Sequence, residues 1–260
     1  MTGFVVLTSP RSGSGWLVDL LNSHPAIVAY PELFHTERRT APDYGAQDLP
    51  YFETCLERRG RARASDFVAL SHKVVQQRRY LARLYVRRPG VQAVGFKLTY
   101  VQANANPALL PLLSLRRTRA VHLVRTNLLA AAISWKAARE SGIYHVRRTE
   151  PVPADPVLLD VGGLRAELEE RELAIERMRR RLGRLRLPRL EIAYEALVGR
   201  TDETLARVLR FLGLEPDVYR VESELQRAHA GPPLNQLGNP DEVRATLAGT
   251  RFEWMLEQAA

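Results

Sequence analysis

The sequence predicts an α/β domain with a mostly parallel sheet flanked by helices. Three observations carry this. Short apolar runs, β-branched in part, recur along the chain and end at Gly, Pro or polar residues. Stretches with apolar residues at helical spacing fall between them, the alternation that makes βαβ units. The first run, Phe4-Val5-Val6-Leu7, is continuous rather than alternating, as a strand covered on both faces must be.

The elements follow in order. The first strand closes at Thr8-Ser9-Pro10 and gives way to Gly13 and Gly15. Trp16, Leu17, Leu20 and Leu21 then recur at helical spacing, so a helix begins near Ser14. Residues from about Asp66 to Arg87 read as a helix, and Val91 to Leu98 as a strand. Ala120 to Val124 (AVHLV) is a nearly pure apolar strand, and Leu128 to Glu140 a helix. From Leu164 to Leu185, apolar residues at 164, 168, 175, 178, 182 and 185 form one stripe. Leu190 to Ala193 gives the weakest strand pattern. Thr201 to Leu212 opens on a Thr-Asp-Glu-Thr cap and stops at Gly213. Two long loops remain, Thr36 to Pro50 and Ile143 to Gly163, the second with paired glycines; loops of this length often bind ligands. With no repeat, low-complexity tract or linker, residues 1–260 are expected to form one domain.

Composition bounds the function. The chain has 260 residues, 45% hydrophobic and 26% charged, an ordinary globular balance. A single cysteine, Cys55, excludes a disulfide framework and a cysteine zinc cluster. His24, His35, His72, His122, His145 and His229 form no His-Glu-x-x-His pattern, so no metal is expected. No apolar run is long enough to span a bilayer, and Met1 to Leu7 runs straight into a strand with no leader pattern, so a cytoplasmic location is expected. The net charge is +9, and lysine is confined to Lys73, Lys97 and Lys136. An arginine excess of this kind follows from genome composition or from an anionic partner. No nucleic-acid module or basic patch interleaved with aromatics is present, which argues against nucleic acid.

The segment Pro10-Arg11-Ser12-Gly13-Ser14-Gly15-Trp16 follows the first strand directly. Glycines let backbone approach an anion, and successive amides at a helix N-terminus supply donors. Ser12 and Ser14 add hydroxyls and Arg11 a fixed charge. The same residues also suit an ordinary Gly-Ser turn. They do not form a Walker loop, which needs a lysine and a longer spacing, nor the three-glycine dinucleotide fingerprint. A second segment, Val124-Arg125-Thr126-Asn127, closes a strand and leads to Ser134 two turns into the next helix. An arginine beside a hydroxyl suits a second phosphate, since guanidinium grips phosphate bidentately; a strand-end salt bridge is the alternative.

Together these segments resemble the PAPS-dependent sulfotransferases, most closely the bacterial carbohydrate and trehalose-type enzymes. The resemblance is carried by RSGSGWLVDLLNSHP, YPELFH, VGFKLTY, VRTNLLAAAISWKAARESGIYH and AYEALV…LRFLGL, in that order, over most of residues 3 to 213, with a similar tail PPLNQLGNPDEVRATLAGTRFEWML. It implies a three-layer P-loop-like domain. It also implies transfer of a sulfuryl group from 3′-phosphoadenosine-5′-phosphosulfate (PAPS) to a hydroxyl of a small molecule, releasing PAP. By the same resemblance, Arg11, Ser12, Gly13, Ser14, Gly15 and Trp16 hold the 5′-phosphosulfate, and Arg125 and Ser134 hold the 3′-phosphate. Gly15 departs from the family pattern, where a second hydroxyl residue is common, and leaves only its amide as a donor. Dimers occur among similar enzymes, so a homodimer is compatible.

Sulfuryl transfer needs charge stabilisation at the leaving phosphate, which Arg11 and the loop amides suit, and a base facing the acceptor hydroxyl. Glu32, in Tyr30-Pro31-Glu32-Leu33-Phe34, matches the acidic position of the similar enzymes. It would act as the bond to sulfur forms, or with a raised pKa; a capping or salt-bridged glutamate is the alternative. His35 is the competing base, histidine titrating nearer neutrality. Lys97 is a lone lysine in an apolar strand, where an unpaired charge is costly. It suits neutralisation of the transferring group, against exposure at the strand end. Trp135, Arg139, Tyr144 and His145 suit the acceptor side, although core packing is the expected role of Trp135. Arg227, before the Gly231-Pro232-Pro233 loop, suits the 3′-phosphate, with a solvated arginine as the alternative. Arg177, Arg179, Arg180, Arg181, Arg184 and Arg186 are expected on a solvated helix face. An ATP-dependent phosphotransferase with a variant phosphate loop and a non-catalytic polyanion binder are the competing functions. A carbohydrate, a glycolipid or a secondary metabolite (hence natural-product biosynthesis) would suit as acceptor, with no code in the loops to choose.

Overall fold

The computed structural model describes residues 1–35, 49–58, 66–144, 146–147, 149–150, 155–216, 223–226 and 231–257. The chain opens with β1 (Thr2–Thr8), α1 (Ser14–Asn22) and β2 (Ile27–Tyr30), then α2 (Phe52–Arg58) and α3 (Asp66–Leu84). Next come β3 (Ala93–Thr99), α4 (Tyr100–Ala105), α5 (Leu109–Leu115), β4 (Arg119–Val124) and α6 (Leu128–Ser141). β5 (Val146–Arg147), α7 (Val161–Arg184), β6 (Arg189–Ala193), α8 (Tyr194–Gly199) and α9 (Thr201–Leu212) follow, and β7 (Leu225–Gln226) and α10 (Pro240–Leu247) end the series.

Five strands form one sheet in the order β2-β3-β1-β4-β6, every pairing parallel. Successive residues of β1 point to opposite faces. Val5 and Leu7 join a core built with α3, α4, α5, α6 and α7, while Phe4 and Val6 join a second core built with α1, α8 and α9. The sheet is thus the middle of three layers, and β1 is apolar throughout because both its faces are covered. Gly95 answers the same crowding from β3: a Cβ there would lie 2.4 Å from the Phe4 ring.

The sequence reading missed β2. It is four residues long, just after the turn Ser23-His24-Pro25, too short a run to read as a strand by pattern alone. Asn22 makes the join, its side chain donating to Ala29 O and accepting from Ala29 N, both at 2.7 Å. The short antiparallel pair β5 and β7 was also missed, being two residues each. Three boundaries shift. Gly162 and Gly163 belong to α7, whose Asp160 cap accepts from Gly162 N, so the second long loop is shorter than expected. Thr201 does not cap α9 but lies inside it, its hydroxyl donating back to Leu197 O. Arg186 lies beyond the end of α7 in a left-handed conformation. Of the first loop, residues 36–48 lie outside the described residues.

Candidate functional site

In the sheet, the connection after β1 leads towards β2 on one side, while the one after β4 leads to β6 on the other. The connections leaving the adjacent carboxyl ends of β1 and β4 therefore run in opposite directions, the switch point at which open α/β sheets bind ligands. The loop from Ser9 to Gly13 fills the β1 side. Arg11 (φ 64°) and Gly13 (φ 74°) are both left-handed, which folds the chain back sharply before α1. Gly13 is required twice over. Its conformation suits only glycine without strain, and a Cβ would sit 2.3 Å from the Tyr194 ring. As N-cap it makes no side-chain bond, and the first turn of α1 holds no acid, so the helix's leading amides lie at the switch point with their positive end uncompensated.

Ser12 does not present its hydroxyl at the switch point as expected. It is fully buried and shares a 2.8 Å hydrogen bond with the Ser9 hydroxyl, so its side chain braces the loop. Ser14 is the first residue of α1 and is buried, while Gly15 and Trp16 are half-buried.

Arg125 emerges from the end of β4, 8% exposed. Its guanidinium donates to Arg11 O at 3.1 Å and lies over the Tyr194 ring, 4.7 Å from the centroid. Ser134 is buried on α6 and accepts from Arg11 Nε at 3.0 Å, while Arg11 Nη1 donates to Tyr144 O at 2.5 Å. Arg11, Arg125 and Ser134, far apart in sequence, thus meet in one cluster. The floor under them was not foreseen. Tyr194, at the start of α8, packs against Gly13 and under Arg125. Glu195 accepts from Thr126 N and Asn127 N, holding the turn in which Arg125 stands. Asn127 then caps α6 through Ala130 N at 2.9 Å. The signal for both residues is their place directly after β6, at the carboxyl edge.

Glu32 follows the end of β2 on the same edge. Its Oε1 lies 2.7 Å from Lys97 Nζ, and its Oε2 accepts from Gln102 Nε2 at 2.5 Å. Lys97 is not exposed at a strand end: its side chain is 12% exposed and ion-paired. Burial alone would push the Glu32 carboxyl up. The charge and hydrogen bond of Lys97, with smaller contributions from His35 and Gln102, outweigh it and hold the carboxyl below its ordinary value. A raised pKa is therefore not how Glu32 would serve as a base. The carboxyl is held in its ionised form by Lys97. His35 stays close, its backbone N donating to Glu32 O at 3.0 Å.

Two other expectations are corrected. Trp135 is half-buried and belongs to neither core cluster. Arg177, Arg180, Arg184 and Arg186 are exposed as expected, but Arg179 and Arg181 of α7 are engaged by partners. Arg179 forks onto Glu191 at 3.0 and 2.6 Å and also binds Glu176. Arg181 donates to Asn104 Oδ1 and Pro107 O, at the end of α4. Arg227, His145 and His229 lie outside the described residues, so the structure does not describe where they stand. Among the described residues, no helix is long and apolar enough to cross a membrane.

A glycine turn at a helix N-terminus, with two arginines and a serine converging at a switch point, is an arrangement suited to a phosphorylated ligand. Residues 3–231 match the model of the Stf0 sulphotransferase family, and the chain belongs to that family, an enzyme of the sulfotransferase class. It is 27% identical over 261 residues to Nodulation protein H of Rhizobium tropici, covering 98% of this chain and 92% of that one. With Nodulation protein H of Rhizobium meliloti (strain 1021) it is 24% identical over 264 residues, covering 98% and 95%. Among solved structures it is similar to a sulfotransferase from Alicyclobacillus acidocaldarius, at 15% identity and a TM-score of 0.49, covering 98% and 96%.

Proposed function

We propose that the chain transfers the sulfuryl group of PAPS to a hydroxyl of a small-molecule acceptor. The observation that carries this reading is the convergence of Arg11, Arg125 and Ser134 beside an uncapped helix N-terminus. Two cationic side chains, a hydroxyl and a row of amides suit a ligand with two separated phosphates better than a single triphosphate arm. The amides from Gly13 to Trp16 and the Arg11 guanidinium receive the 5′-phosphosulfate. Arg125 and Ser134 receive the 3′-phosphate, with the Tyr194 ring supporting the guanidinium.

The acceptor oxygen attacks sulfur as the bond from sulfur to the bridging phosphate oxygen breaks. The electron pair leaves with the 5′-phosphate of PAP, where Arg11 and the helix N-terminus stabilise it. The hydroxyl proton passes to Glu32. Lys97, 2.7 Å from Glu32, keeps that carboxylate ionised and places a positive charge where the sulfuryl oxygens pass. His35, three residues on, is the competing proton acceptor.

Calorimetric titration with PAP, ADP and Mg-ATP tests the donor. PAP should bind at least about tenfold more tightly than ADP, and Arg125→Ala should abolish the difference, a bidentate guanidinium–phosphate contact carrying roughly 1.5–3 kcal/mol. Equal affinity for PAP and ADP would sink the reading. Preference for Mg-ATP would turn it towards a phosphotransferase, and salt-sensitive binding of any polyanion towards a polyanion binder.

A further inference from the structure

We infer that Gln102 is a positioning residue for the reaction: its amide fixes one oxygen of Glu32, and α7 holds it in place through α4. The inference rests on the reading of Glu32 as proton acceptor.

The orientation of the Gln102 amide is set from both sides. Its Oε1 accepts from Thr99 N at 3.2 Å, completing a capping box at the start of α4 in which Thr99 Oγ1 accepts from Gln102 N. A backbone N–H requires an acceptor there, so the NH2 group must face Glu32, and it donates to Oε2. Lys97 takes the other oxygen. The carboxylate is thereby held at both ends by donors from two elements, β3 and α4, and each oxygen keeps a second lone pair for the incoming proton. Gln102 brings no second cation, so it orients the base without further weakening it by charge. His35 is the remaining titratable group acting on Glu32.

A six-residue helix does not hold a side chain still by itself, and α4 is braced from α7 at both ends. At its start, Tyr100 OH lies 2.6 Å from His122 Nε2, in the middle of the sheet. His122 Nδ1 lies 2.9 Å from Glu191 Oε2, and Arg179 of α7 grips both oxygens of Glu191. The ionised Glu191 requires the proton on Nδ1, so Tyr100 donates to Nε2 and the chain is complete with a neutral imidazole. At its end, Arg181 of α7 donates to Ala103 O, Asn104 Oδ1 and Pro107 O. The orientation of Glu32 therefore depends on residues of β4, β6 and α7 that pack on the same face of the sheet as α4, as outer-shell partners orient reactive groups elsewhere.

The test follows Glu32 directly. The full chain is labelled with 13C at glutamate side-chain carbonyls, and Glu32 is assigned by its loss in Glu32→Gln. Its titration is then measured by NMR in the wild type, Gln102→Met and Gln102→Glu. Gln102→Met should move the midpoint up by about one pH unit, and Gln102→Glu by more, because a carboxylate then faces a carboxylate. Gln102→Glu keeps the acceptor for Thr99 N, so α4 stays capped. PAP affinity should stay within twofold in both. Release of PAP from PAPS, with water and with glycerol as hydroxyl probes, should fall about tenfold in Gln102→Met. An unchanged Glu32 midpoint in both variants, or loss of PAP binding alongside it, would overturn the inference. Full turnover by Glu32→Gln would instead refute Glu32 as the base, with the midpoints reporting on Gln102 independently.

Discussion

Replacing Gly13 by alanine probes the cradle at its tightest point. The residue has φ 74°, where a non-glycine side chain costs about 1–2 kcal/mol. The new Cβ would lie 2.3 Å from two atoms of the Tyr194 ring, so that ring must withdraw by about 1 Å to reach ordinary contact. Tyr194 has little room, being 7% exposed with Arg125 stacked on its ring, and overpacking of this kind costs about 1–3 kcal/mol. Gly13→Ala should therefore lose about 2–5 kcal/mol in urea unfolding. Because the displaced ring carries Arg125, PAP binding should weaken more than tenfold. Removing the ring in the same chain (Gly13→Ala with Tyr194→Ala) should recover the steric part and leave the backbone part, a coupling of about 1–3 kcal/mol in a double-mutant cycle. Strict additivity, or a single variant within 0.5 kcal/mol of the wild type (about the resolution of such a comparison), would refute the packing argument.

Two further predictions concern the frame. Asn127 caps α6 through Ala130 N and donates to Met255 O, so Asn127→Ala should destabilise by about 1–2 kcal/mol and free the C-terminal segment; an unchanged urea midpoint would refute the cap. His122 is lowered from its ordinary 6.5, first by burial, with Glu191 opposing and Arg179 and Arg189 assisting. A depressed folded value means the neutral form is the folded one. Its stability is fully present above pH 6.5 and is lost as the pH falls through the folded value. Urea midpoints at pH 7.5 and 5.5 should differ more for the wild type than for His122→Gln, and equal differences would exclude His122 as the cause.

Much of the frame can be read from the chain because apolar runs report burial directly. β1, β3, β4 and the helices α6, α7 and α9 fall within a few residues of expectation. β2 escapes because a run of only four residues carries too little pattern to be read as a strand, even though Asn22-Ser23-His24-Pro25 separates it from the helix before it. The cradle is legible as a loop type, since Gly13 and Gly15 follow a buried strand. What holds it is not, because the contacts join distant residues. Gln102 reaches Glu32 across 70 positions, and Glu195 reaches Thr126 across 69. Neither Gln102 nor Glu195 is an unusual residue on a helix. Lys97 differs: a lone cation in an apolar strand is conspicuous, and only the identity of its partner awaited the structure.

The pairing of Lys97 with Glu32 bears on how the reaction divides its work. A carboxylate held below its ordinary pKa is a poor base towards an alcohol, so it contributes little until the acceptor oxygen has begun to share its electrons with sulfur. Proton transfer then follows the heavy-atom motion instead of driving it. The larger demand falls on the other end of the donor, where charge gathers on the leaving phosphate. In the proposed reaction that end meets Arg11 fixed by Ser134 and Tyr144, the Arg125 guanidinium bonded to the backbone of Arg11, and the open N-terminus of α1. The strained conformations of Arg11 and Gly13 belong to the same arrangement. They turn the loop back between the end of β1 and the start of α1, with the Arg11 side chain bonded to Ser134 and Tyr144. On the proposed reading, the machinery is weighted towards the leaving group, and the base is present and oriented rather than strong.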